Sequence, residues 1–132
     1  MNEIIEKTKE WLEKADRDLK SAKILLYNEL YDYSLFHSQQ AIEKYLKAFI
    51  TYKNIPLNKI HDISLLIEYC MKMDTDFKYL YNINADKLYP IGIEIRYPVK
   101  YIVTEEDAKE AIDIAEKVRE FIYKKLNIDN NI

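Results

Sequence analysis

Ile5, Thr8, Leu12, Ala15, Leu19, Ala22 and Leu26 succeed one another at alternating spacings of three and four residues. A 3.6-residue turn returns to the same side after three or four positions, so these residues form one stripe only on an α-helix. The pattern predicts a helix from about Glu3 to Asn28, with Asp16, Arg17, Lys20 and Lys23 off the stripe. A helix of about seven turns runs the length of a domain built from a chain this size.

The same period governs most of the remaining chain. From about Asp32 to Tyr52 there are two stripes: Leu35, Ile42, Leu46 and Phe49, and beside them Ala41, Tyr45, Ala48 and Tyr52. A helix apolar on two sides has neighbours on two sides. His37, Gln40, Glu43, Lys44 and Lys47 are left on a narrow polar face. Asn54 suits the helix end, and Pro56 prevents continuation. "HDISLLIEYCM" predicts a short third helix with Ile63, Leu66, Ile67 and Cys70 inward. Asp74 or Asp76 caps a fourth, carrying Phe77, Leu80, Ile83 and Leu88, expected to end at Pro90. Thr104 caps the last, with Glu105, Glu106 and Asp107 in its first turn and Lys124 and Lys125 in its last, as the macrodipole favours. Its buried stripe is Ala108, Ala111, Ala115, Val118, Ile122 and Leu126. The expected fold is all-α, an up-and-down bundle of four to five antiparallel helices. The 132 residues suit a single domain spanning residues 1–132, with 126–132 as a frayed tail.

The chain holds one glycine, which excludes both the P-loop and the G-x-G-x-x-G turn. A minimal nucleotidyltransferase would need a glycine- and serine-rich phosphate turn, and none exists here. Twenty basic against 23 acidic residues leave a net charge of -3, so nucleic acid or anionic membrane can be attracted only by a local patch. Cys70 is the only cysteine, so no internal disulfide can form, and it reads as a buried thiol. The charged N-terminus has no apolar core of a signal sequence, which makes the cytoplasm the expected compartment. Neither histidine has a carboxylate three residues before it, and Asp74-Thr75-Asp76 lacks the glycine and terminal glutamate of a calcium loop. No metal or other cofactor is expected.

"YPIGIEIRYPVKYIV", from Tyr89 to Val103, breaks the pattern. Its alternating Ile91, Ile93, Ile95, Tyr97, Val99, Tyr101 and Val103 have a strand's period of two. A lone strand leaves its ladder groups unsatisfied, and Pro90 and Pro98 each lack a donor. The segment is therefore expected to be a helix end and an irregular connection into the Thr104 cap.

Three segments together resemble the HEPN domain (higher eukaryotes and prokaryotes nucleotide-binding domain), in its small stand-alone archaeal and bacterial form. They are "FHSQQAIEKYLKAFI" on the second helix, "HD" before the third, and "LYPIGIEIRYP" before the last. Gln40, Ala41, Glu43, Lys44, Lys47 and Ala48 match the family's Q-A-x-E-K-x-x-K-A, and Arg96, Tyr97 and Pro98 its R-Y-P. The resemblance implies a helical bundle, commonly a homodimer, often encoded beside a minimal nucleotidyltransferase as a toxin–antitoxin pair. Many members are metal-independent ribonucleases using an Arg-x4-6-His motif. Here Arg96 is present, but Tyr101 and Val103 stand where that histidine would be, and Val99 replaces the aspartate of R-Y-P-D.

The candidate nucleotide- or RNA-binding residues are thus Arg96 and Tyr97 with Gln40, Glu43, Lys44, Lys47 and His37. Arg96 offers a planar fork to phosphate, against a structural role paired with Glu94, Glu43 or a helix C-terminus. Lys44 and Lys47, with Gln40 and His37, suit the other wall of a small anion site, against a solvated face with Glu43–Lys47 an ordinary i,i+4 pair, and for Lys44 the solvated face is preferred. His37 and His61 are the only imidazoles; His61 reads as a cap or a partner of a neighbour. Trp11, with Ile4 and Leu25, suits either a partner contact or a second packing face. Three functions are expected, in this order: a binding component of a toxin–antitoxin-type pair without an intact ribonuclease motif, an active ribonuclease with Arg96 and a substituted base (Tyr101 or His37), and a helical dimer for protein contacts alone.

Overall fold

The computed structural model of the chain describes residues 2–57, 59–88 and 102–128. Helices α1 (Asn2–Tyr27) and α2 (Tyr31–Tyr52) form an antiparallel hairpin, followed by α3 (Ile63–Met73). A 3-10 turn (Thr75–Lys78) leads into the single turn α4 (Tyr79–Asn82), and α5 (Glu105–Leu126) closes the bundle. Among the described residues there is no strand. The all-α bundle expected from the periodicity is the observed fold.

The stripes are the core. Leu12, Ala15, Leu19 and Ala22 of α1 are buried, as are Ala41, Ile42, Tyr45, Leu46, Ala48 and Phe49 of α2. All six residues expected on the inner face of α5 are buried too. The two stripes of α2 have their physical reason here, because α2 packs against α1, α3 and α5. Phe77 anchors the 3-10 turn, its ring centroid 4.5 Å from Phe49 and 4.9 Å, edge-on, from Phe121. Such aromatic pairs add about 0.5–1.5 kcal/mol each beyond the area they bury. Cys70 is fully buried, and burial with the nearby Asp74 charge pushes its thiol up to about 12, so it is no nucleophile.

The helix ends explain how a chain can manage with one glycine. At four ends a residue with positive φ comes after the helix: Glu29 (63°), Asn54 (58°), Asn84 (64°) and Asn127 (55°). Each is the left-handed residue of a Schellman motif. After α2, for example, Asn54 N–H donates to the Thr51 carbonyl at 2.9 Å and Ile55 N–H to the Ile50 carbonyl at 3.2 Å. Asparagine tolerates this conformation better than other side chains, and it replaces glycine at three of the four positions.

The Asp74 and Thr104 caps are those expected, whereas α3 is capped by Asp62. Asp62 accepts from the Ser64 and Leu65 N–H groups, Asp74 from Asp76, and Thr104 makes a reciprocal capping box with Asp107. The fourth helix differs from expectation. It stops at Asn82 rather than running to Pro90, because Asn84 takes the left-handed conformation and turns the chain. The expectation of an irregular connection over Tyr89–Val103 lies outside the described residues, apart from Ile102 and Val103.

Candidate functional site

The polar residues of α2 divide into two clusters. On one side, His37 Nδ1 lies 3.0 Å from Asp18 Oδ1, and Lys44 Nζ donates to Asp18 Oδ2. Asp18 is only 13% exposed, so α1 supplies a sheltered carboxylate that holds both side chains. A carboxylate only accepts, which places the imidazole proton on Nδ1 and leaves Nε2 as the atom that can exchange a proton. The Phe36 ring meets His37 edge-on at 5.4 Å. Gln40 lies half-buried on the same helix face.

On the other side, Lys47 Nζ donates to Glu43 Oε2 at 2.8 Å, and His61 Nδ1 approaches the same oxygen at 3.0 Å. The i,i+4 pairing is as expected, but the solvated face is not. Glu43 and Lys47 side chains are each 7% exposed, covered in part by Trp11, whose ring centroid is 5.5 Å from Lys47 Nζ. His61 bonds a neighbour and does not cap α3, a task Asp62 performs. Trp11 is half-buried and packs against the core, the second of its two expected roles.

Arg96, Tyr97 and Tyr101 lie outside the described residues. The ends of that segment are placed. Val103 is buried with Leu35 and Ala111, and Leu88 packs on the same small cluster together with Tyr31 and Phe36. Both ends therefore meet the N-terminal part of α2.

One constellation was not legible in the sequence. Asp16 accepts from Tyr45 Oη at 2.5 Å and Arg119 Nε at 2.9 Å through Oδ1, and from Tyr123 Oη at 2.7 Å through Oδ2. The Arg119 guanidinium lies over the Tyr123 ring, 4.3 Å from its centroid. Burial, reinforced by the Asp16 hydrogen bonds, pushes both phenols well above the ordinary tyrosine range. Burial alone would lower the Arg119 value, but the bond and charge of Asp16 outweigh it. With neutral phenols and a paired guanidinium, the cluster ties α1, α2 and α5 together. Tyr45 on a buried stripe was the available signal, since a buried phenol needs an acceptor on a facing helix.

Among the described residues no helix is long and apolar enough to cross a membrane. The family model of the HEPN domain matches residues 8–126. A Methanocaldococcus jannaschii protein named "Putative toxin MJ1304" is 31% identical over 132 residues, covering 89% of this chain and 87% of its own. The crystal structure of ST0689, an archaeal HEPN homologue, matches with a TM-score of 0.63 and 26% identity, over 89% of this chain and 96% of that one. That of TT1696 from Thermus thermophilus matches with a TM-score of 0.70 and 24% identity over 89% and 97%, a likeness of fold.

Proposed function

The chain belongs to the HEPN domain family, and from that premise we propose that it is a cytoplasmic, toxin-like RNA- or nucleotide-binding protein. It binds phosphate through Arg96 with the His37–Lys44 face of α2, and works as a homodimer beside a small nucleotidyltransferase partner. The observation that carries this reading is the anchoring of Leu88 and Val103 on Leu35 and Phe36. Both described ends of the segment that bears Arg96 and Tyr97 meet the start of α2, the helix that also carries His37 and, two turns further along, Lys44. The name of the M. jannaschii relative supports the toxin-like role.

Charge supports giving Arg96 the leading part. Asp18 offsets Lys44, and Glu43 offsets Lys47. Neither pair offers a net positive charge to a ligand, whereas a guanidinium presents a bidentate fork to phosphate. A second reading, an active ribonuclease, is favoured by the Asp18–His37 pair, which has the form of an oriented general base.

Fluorescence anisotropy with a short single-stranded RNA tests the proposal. Arg96→Ala is expected to weaken binding about tenfold, as loss of a charged hydrogen bond does, and to flatten the salt dependence. Circular dichroism of the variant should be unchanged. An unfolded Arg96→Ala protein, or one that binds RNA as well as the parent, would show Arg96 to be structural. Light scattering on the same samples checks the dimer; a particle of only 15.9 kDa would remove that part.

A further inference from the structure

The loop from α2 to α3 leaves a space that the bundle does not fill. Asn54 turns the chain at the end of α2 and Pro56 keeps it from resuming a helix. Ile55 and Ile60 of this loop, with Ile50 of α2 and Leu66 of α3, line a cavity of about 200 Å³. Tyr69 and Met73, three and seven residues after Leu66, continue the lining along one face of α3. Only Tyr69 and Lys72 bring a side-chain nitrogen or oxygen to it. A water settles in a cavity when it has about two to four polar partners, so these walls favour hydrocarbon. An apolar cavity of about 150 Å³ is room enough for a benzene ring. The mouth is apolar as well, with Ile55 42% and Tyr69 39% exposed. It carries one charge. Lys72 Nζ lies 5.6 Å from the Tyr69 ring centroid, and among the described residues it forms no ion pair, not even with Glu68 one turn earlier.

We infer that this cavity binds a small arylalkanoate, its ring among Ile50, Ile60 and Leu66 and its carboxylate on Lys72. The volume suits one ring with a short chain. Tyr69 offers that ring an aromatic neighbour and Met73 a sulfur, contacts that a saturated chain does not gain. The Lys72 ammonium has three donors and no acceptor, so it takes an anion. A single cation at an apolar mouth matches a monoanion, because a more highly charged group would lose more hydration than one ammonium returns. The cavity meets α2 at Ile50, whereas the ends of the Arg96 segment meet it at Leu35 and Phe36. The fourteen residues of helix from Phe36 to Ile50 span about 21 Å. The two places are distinct, and this inference does not rest on the proposed function.

Met73 makes the test direct. The chain has three methionines, Met1, Met71 and Met73, and of these Met73 lines the cavity. The whole protein is labelled with carbon-13 at the methionine methyl groups, the Met73 signal is assigned with Met73→Leu, and 3-phenylpropionate is titrated. Its neutral amide, propionate and octanoate are separate titrants. A saturable shift of the Met73 signal is expected with 3-phenylpropionate, while Met1 stays in place. The amide should bind about fivefold more weakly, as loss of one exposed charge contact does, and propionate should shift nothing. Lys72→Gln should weaken the acid about fivefold and leave the amide unchanged, which a merely structural lysine would not do. Circular dichroism of that variant should match the parent. No Met73 shift at millimolar 3-phenylpropionate would overturn the assignment, as would an equal shift by propionate. Equal affinity for acid and amide, or equal weakening of both in Lys72→Gln, would remove the carboxylate from Lys72. Tighter binding of octanoate would overturn the choice of an aryl ligand.

Discussion

Asp16→Ala is expected to destabilise the protein by about 3 kcal/mol, lowering the melting temperature by roughly 10 °C. The carboxylate is the shared acceptor for two phenols and a guanidinium drawn from two other helices. Tyr45 is fully buried and Tyr123 nearly so, and a buried hydroxyl left without its acceptor costs about 1–3 kcal/mol. Asp16 itself is 32% exposed, so water can enter and recover part of the loss, which sets the figure below the sum. Tyr45→Phe and Tyr123→Phe should cost about 1 kcal/mol each, because they remove a donor while the carboxylate keeps other partners. The pH dependence has a definite sign. Folding raises both phenol values, so the folded state holds protons the unfolded chain releases once pH passes about 10. Their contribution is full below that pH and is lost progressively above it. Thermal melts by circular dichroism check both points. A change under about 1 kcal/mol for Asp16→Ala would mean that the three donors find water as readily as carboxylate.

The second large effect concerns catalysis. Metal-independent RNA cleavage needs a group to take the 2′-hydroxyl proton and another to stabilise the crowded phosphate. Arg96 can serve the second need but not the first, since a guanidinium is not deprotonated in proteins. Tyr101, with an ordinary value near 10, is a poor base at neutral pH. General acid–base help is typically worth about 10²–10⁴-fold, so the purified protein should show negligible cleavage. Tyr101→His restores the Arg-x4-His spacing from Arg96 and is expected to raise cleavage of a single-stranded RNA in the presence of chelator by about 10²-fold or more. His37 supplies the discriminating control. If the unmodified protein cleaves RNA and His37→Gln abolishes that activity, the Asp18-held imidazole is the base and the ribonuclease reading takes first place. Activity in neither protein would indicate that more than the histidine is missing.

The fold was legible because its cause is periodic. Leu12, Ile42 and Val118 are buried since a helix of 3.6 residues per turn repeats them on one side, and that period can be counted along the chain. Caps were legible for the same local reason: Thr104 and Asp107 are three residues apart, as are the atoms they bond. The candidate site was less so, because it depends on which helix faces which. Asp16 and Asp18 both lie off the α1 stripe and look solvated, yet one binds α2 and α5 and the other holds His37 and Lys44. Glu43 and Lys47 looked like an exposed i,i+4 pair. Nothing within α2 announces that Trp11 and His61 cover them. The early end of α4 was hidden because Asn84 reads as an ordinary helical position until its φ is known.

The short link between α1 and α2 also orders events in time. Three residues join the two helices, so their contacts form at little cost in loop closure. Docking α5 on α2 must close some fifty residues of intervening chain, a slower step whose entropy is recovered only once the contacts are made. The hairpin should be largely formed in the folding transition state and α5 should join late. Arg119 and Tyr123 then reach Asp16 only after the barrier, so removing either mainly speeds unfolding. Weakening the contact of α1 with α2, as Ser34→Ala does by removing the hydroxyl that donates to the Ala22 carbonyl at 2.8 Å, mainly slows folding. In stopped-flow denaturant experiments the first kind of substitution should move one arm of the chevron and the second kind the other; equal movement of both arms by each would mean that the bundle assembles without a preferred order.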